Sequence, residues 1–139
     1  MNEPTTHDPA RKLGVLIVDD SAVMRALIKR VTVVTGFPAS DLLEAANGAE
    51  ALDVLQKNPI DVMFVDINMP IMNGADLLRA MQAVPQWNDI VRVVISTDGS
   101  DARRAEMAAL GVKLYLEKPI RPEGMRDVLA ALGPAAGNR

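Results

Sequence analysis

The sequence predicts an α/β fold of the (βα)5 kind, a doubly wound parallel five-stranded sheet with helices on both faces. Three observations predict it. Five short apolar runs recur along the chain, segments of helical spacing separate them, and two of the runs, VLIV and VMFV, lack the period-two alternation of a strand with one wet face. Alternating strands and helices imply parallel strands, because a parallel crossover needs a dozen or more residues and its helices cover the sheet.

The candidate strands are residues 13–18, 42–46, 60–65, 91–95 and 112–116. The first helix follows Ser21, a good N-cap, and carries Met24, Leu27, Ile28, Val31 and Val34 at three- and four-residue steps. The second opens after Asn47-Gly48 with Ala51, Leu52, Val54 and Leu55, and the third after Asn73-Gly74 with Leu77, Leu78 and Met81, ended by Pro85. Asp101 is the expected cap of a fourth helix that stops at Gly111. Pro122 suits the first turn of a fifth, which carries Met125, Val128, Leu129 and Leu132. The stretch from Lys113 to Glu117 alternates, as a half-exposed edge strand does.

A chain of 139 residues with 49% hydrophobic residues is the size of one domain with a core of its own. The domain is expected at 12–133, between flexible ends at 1–11 and 134–139, with no second domain to act as an effector. A net charge of −3, from 15 basic and 18 acidic residues, argues against a broad nucleic-acid surface. There is no cysteine, so thiolate metal sites and disulfides are excluded, and no apolar run approaches the roughly 20 residues that span a bilayer. A soluble, cytoplasmic protein without membrane insertion is expected. His7, in the polar N-terminal stretch, and the eight methionines suggest no site.

The polar residues that interrupt the apolar pattern fall at strand C-termini: Asp19-Asp20, Asp66, Ser96-Thr97 and Lys118. In an open parallel sheet, ligands bind outside those ends, so four separate positions converge on one crevice. Two carboxylates about 4 Å apart repel by on the order of 4 kcal/mol at an effective dielectric near 20. Either one acid keeps its proton or a divalent cation binds, and an oxygen-only site with few protein ligands suits Mg²⁺, with Mn²⁺ as the substitute. A carboxylate left free to attack in line would then form an acyl phosphate, with Lys118 as a point charge and Ser96 as a hydroxyl donor for the phosphoryl group.

The stretches VLIVDDSAVMR, EAANGAEAL, DVMFVDINMPIMNG, VVISTDGS and LGVKLYLEKPI, in that order and spacing, resemble the receiver domains of response regulators, of the CheY-like single-domain type, over about residues 12–133. The resemblance implies a flavodoxin-like strand order of 2-1-3-4-5, which periodicity alone does not supply. It makes Asp66 the phosphoacceptor and assigns the metal to Asp19, Asp20, Asp66 and the backbone carbonyl of Asn68. Ser96 becomes the switch hydroxyl, Tyr115 the switch aromatic and Lys118 the phosphoryl contact, and the resemblance raises the expectation of a cis bond at Lys118-Pro119, which the residues alone leave open. Thr97 stands where the family most often has alanine, and Asn68 and Asp98 occupy two variable positions that influence dephosphorylation.

Each residue also has a plainer reading taken alone. Asp19-Asp20-Ser21 can cap a helix, Asp66 can serve turn chemistry, and Ser96 and Lys118 can be ordinary strand-end residues. Their combination favours the acceptor. The resemblance implies a stand-alone regulator, not an enzyme, that takes its phosphoryl group from a histidine kinase or a histidine phosphotransfer protein. Its α4-β5-α5 surface would then switch to bind an unidentified protein target in chemotaxis or at a flagellar motor, as a monomer or a phosphorylation-dependent dimer. The alternative is a phosphorelay intermediate or phosphate sink that passes the group to a histidine phosphotransfer protein. An aspartate-based phosphatase is disfavoured because Asn68 stands where a second acid would be needed, and a pseudo-receiver because all five polar positions are filled.

Overall fold

A computed structural model describes residues 12–132, so the ends at 1–11 and 134–139 and His7 lie outside the described residues. The elements run β1 (Leu13–Val18), α1 (Ala22–Val34), β2 (Ala39–Ala45), α2 (Gly48–Lys57), β3 (Val62–Val65), α3 (Gly74–Gln82), β4 (Val91–Ser96), α4 (Asp101–Ala109), β5 (Leu114–Glu117) and α5 (Pro122–Leu132). The strands pair in parallel in the order β2-β1-β3-β4-β5. This is the expected doubly wound flavodoxin-like sheet.

Apolar side chains fill both sides of the three central strands. Leu16, Val18, Met63, Val65 and Val94 pack with Leu55 of α2, Leu77 and Met81 of α3 and Met107 of α4. On the opposite face Val15, Ile17, Phe64, Val93 and Ile95 pack with Ile28 of α1 and with Met125 and Val128 of α5. Each such side chain contributes roughly 1.5–3 kcal/mol when fully buried, which explains why β1 and β3 read as unbroken apolar runs. The edge strands β2 and β5 are only partly covered.

Several boundaries differ from expectation: β4 and β5 each run one residue further, to Ser96 and Glu117, and the others have a local reason. Strand β2 starts at Ala39 because an edge tolerates the exposed Ser40 and Asp41. It ends before Ala46, whose N–H donates to Glu50 Oε1 (2.9 Å) while Asn47 caps α2. Strand β3 starts at Val62, since the Asp61 carboxylate takes the Gly14 N–H (2.8 Å) that a ladder carbonyl would accept. Strand β5 starts at Leu114, because Val112 N–H still closes the end of α4 on Met107 O (3.1 Å). The cap of α4 is Ser100, whose Oγ accepts from Arg103 N (3.2 Å); Asp101 is the first helical residue. Helix α3 ends at Gln82, ahead of a 3-10 turn at Pro85–Trp87. Ser21, Asn47 and Asn73 cap α1, α2 and α3 as expected.

Candidate functional site

The parallel sheet delivers the C-termini of β1, β3, β4 and β5 to one edge. Backbone pairing fixes the heights: Asp66 N–H donates to Val18 O (2.8 Å), Asp19 N–H to Ala45 O (3.1 Å) and Lys118 N–H to Ser96 O (2.8 Å). The loop after β3 returns so tightly that a Cβ on Gly74 would collide with the Asp66 carbonyl oxygen, so a glycine is required at the start of α3.

Asp19, Asp20 and Asp66 come together here, each offering a carboxylate oxygen, with those oxygens within 4.8 Å of one another. Asp19 and Asp66 are buried, at 1% and 8% exposure, whereas Asp20 is exposed. Asp19 Oδ1 accepts from Ser21 N (2.9 Å), and its Oδ2 accepts from Lys118 Nζ (3.0 Å). The same ammonium lies 3.6 Å from Asp66 Oδ1, which also accepts from Ile67 N (2.9 Å). Asp66 Oδ2 has no hydrogen-bond donor among the described residues. Burial lifts the Asp66 carboxyl above its ordinary range, the Lys118 charge opposes that, and Asp19 and Asp20 add to it.

Ser96, the buried last residue of β4, accepts from Asp98 N at Oγ (3.1 Å). Tyr115, half-buried on β5, donates its hydroxyl to Asp98 O. Asn68 lies exposed two residues beyond Asp66, and Thr97 is exposed beside Ser96. The Lys118-Pro119 bond is cis. The structure therefore gathers the acids, Ser96 and Lys118 at one edge and links Tyr115 to the loop after β4.

Arg25 carried no role in the sequence reading. From α1 its Nη1 donates to the carbonyl of Asp19 (2.6 Å) and its Nε to Glu44 Oε1 (2.8 Å), while Lys29 reaches Glu44 Oε2 (3.0 Å). These contacts hold the Glu44 carboxyl below its usual range, the Arg25 hydrogen bond first. The only sequence signal was the arginine inside DDSAVMR, five residues past Asp20 on the same helix entry. Three hard carboxylate oxygens with no nitrogen or sulfur donor match a small divalent cation such as Mg²⁺, which keeps several waters.

The family model described as the response regulator receiver domain matches residues 15–130. The chain belongs to that family. It is 36% identical over 127 residues to a chemotaxis protein CheY homolog of Campylobacter jejuni, covering 90% of this chain and 96% of that one. It is also 36% identical over 118 residues to chemotaxis protein CheY1 of Helicobacter pylori, covering 84% and 94%. The structure of the chemotaxis response regulator CheY4 of Vibrio cholerae superposes with a TM-score of 0.77 at 30% identity, covering 88% of this chain and 99% of that one. The receiver thus has a CheY-like fold, and no helix among its described residues is long and apolar enough to cross a membrane.

Proposed function

We propose that this receiver accepts a phosphoryl group on Asp66 from a phosphohistidine of a kinase or phosphotransfer protein and answers by changing what its α4–β5–α5 surface binds. The observation that carries the reading is the asymmetry of the Asp66 carboxylate. Oδ1 is held by Ile67 N and Lys118, while Oδ2 meets no donor among the described residues, and burial leaves the group poorly solvated. A carboxylate held at one oxygen, with the other left without a donor and not among the buried unpartnered atoms, is suited to in-line attack.

Asp66 Oδ2 forms the new O–P bond as the N–P bond to the donor imidazole breaks, and the bonding pair stays on the imidazole nitrogen, which takes its proton from water. Asp19, Asp20 and Asp66 would hold the divalent cation, with the Asn68 carbonyl. The bound cation supplies charge neutralisation for the acids and the phosphoryl oxygens. Lys118 moves its attention from Asp66 Oδ1 to a phosphoryl oxygen while keeping Asp19. The Ser96 hydroxyl, which only accepts in its bond from Asp98 N, has its own proton to donate to the phosphoryl group. Asp98, Tyr115 and β5 carry that change toward α4.

On this reading the protein is a stoichiometric acceptor in the cytoplasm, not a turnover enzyme. The names of its 36%-identical relatives support a chemotaxis target. Incubation with acetyl phosphate and Mg²⁺ should give one phosphoryl adduct that neutral hydroxylamine removes, as it cleaves acyl phosphates. An adduct stable to hydroxylamine, or one formed equally well with excess chelator, contradicts the reading.

A further inference from the structure

Arg104, in the first turn of α4, makes contacts that reach two other segments. Its Nε donates to Gly99 O (3.2 Å), its Nη1 to Tyr115 O (3.3 Å) and its Nη2 to Glu117 Oε1 (3.3 Å). Its Cζ lies 4.7 Å from the centroid of the Tyr115 ring, within cation–π range. Glu117 lies against Gly99 so closely that a Cβ there would collide with its carboxylate. Tyr115 donates to Asp98 O, and Asp98 N donates to Ser96 Oγ. The result is a continuous chain of contacts from Ser96 through the β4–α4 loop and Tyr115 to Arg104 and Glu117.

The planar guanidinium fork explains why one side chain can do this. Three N–H groups diverge in one plane toward two carbonyls and a carboxylate, while the face of the same plane is free for the ring. A lysine offers a point charge for the ring but cannot reach all three acceptors. Arg104 is still 39% exposed at its side chain, so solvent and partners can reach it.

We propose that Arg104 is the positioning residue that holds Tyr115 against the β4–α4 loop before any phosphoryl group arrives, so that the α4–β5 surface of this receiver is preset. Modification at Asp66 then acts on one end of an arrangement already closed, and the conformational change it adds is smaller than it would be without the arginine. A ligand shifts two states only by its differential interaction with them, and Arg104 has already supplied part of that difference. The inference rests on the reading of Asp66 as acceptor.

Tyr115 is the single tyrosine of the chain, so 3-fluorotyrosine places one ¹⁹F probe at the ring. The full chain is compared with Arg104→Ala, Arg104→Lys and Gly99→Ala, with and without Mg²⁺ and beryllofluoride, with circular dichroism confirming the fold. Without the mimic, Arg104→Ala should shift or split the ring resonance, Arg104→Lys should shift it less, and Gly99→Ala should shift it by displacing Glu117. On adding the mimic, the change should be small in the native chain and larger in Arg104→Ala. A ring resonance in Arg104→Ala and Arg104→Lys that matches the native chain in both conditions overturns the proposal. Failure of the native chain to show protein-bound fluoride would overturn the acceptor reading instead, while the mimic-free shifts would still decide whether Arg104 positions Tyr115.

Discussion

Asp66 and Arg92 are both buried charges at the ends of central strands, at 8% and 6% exposure, but they lie at opposite ends of the sheet and are treated in opposite ways. Asp66 follows the C-terminal end of β3, among two like charges and one ammonium, with an oxygen that meets no donor. Arg92 stands at the start of β4, where its Nη2 donates to Trp87 O (2.9 Å) and its Nε is buried with no hydrogen-bond partner. No carboxylate among the described residues pairs with it. Burial pushes both groups toward their neutral forms, and for Arg92 burial is the whole cause. A perturbed charge is therefore not itself a site. Chemistry needs other ionisable groups converging on it, and among the described residues the three-carboxylate group lies at the C-terminal edge of this sheet.

The largest expected effect falls on the acidic end. Asp20→Asn removes one of three carboxylates without disturbing the core, since Asp20 is exposed. It should weaken Mg²⁺ binding, measured by calorimetry, by at least about tenfold, the lower end of what even outer-shell changes cost a metal site. Affinity equal to that of the native chain would remove Asp20 from the metal set.

A smaller effect distinguishes the two ends by pH. The Asp66 carboxyl is raised in the folded chain, while in the unfolded chain it ionises near about 3.9. Between those values the folded state binds the proton more tightly, so stability falls as pH rises through the window and stays lowered above it. Asp66→Asn should therefore unfold at a higher temperature than the native chain at pH 7 in chelator. The gain should vanish below about pH 4, where the native carboxyl is protonated in both states. A lower midpoint at pH 7 would mean that the Lys118 contact outweighs burial.

The smallest effect belongs to the other end. Arg92→Met replaces a cation that lacks a counter-charge among the described residues with an apolar chain of similar length, which removes the cost of burying an unpaired charge. Acyl phosphate yield should be unchanged, and urea unfolding should show equal or greater stability. Loss of phosphorylation with the fold intact would make Arg92 part of the function and remove the difference between the two ends.

Legibility in the sequence followed the same division. The acids were legible because Asp66 ends the run VMFV and Asp19-Asp20 ends VLIV, where apolar burial leaves no ordinary use for a carboxylate. The central strands were legible because both their faces are dry. Edge strand β2 was misplaced by three residues at its start because Ser40 and Asp41 look like loop residues and are exposed on a sheet edge. The start of β3 depended on a bond between Gly14 and Asp61, 47 residues apart, which no local pattern encodes. Arg104 was invisible for a related reason. A basic residue in the first turn of a surface helix reads as solvated, and its partners Tyr115 and Glu117 are 11 and 13 residues away across a turn.

The central claim is that Asp66 is the acceptor, and the most direct measurement is the location of the phosphoryl group. The native chain and Asp66→Asn are treated with acetyl phosphate and Mg²⁺, the adduct is reduced with borohydride, and the peptides are mapped by mass spectrometry. Homoserine, the reduction product of an aspartyl phosphate, is expected at position 66 in the native chain, and no phosphoryl adduct in a folded Asp66→Asn. Modification at another residue of the native chain, or an undiminished adduct in Asp66→Asn, would contradict it.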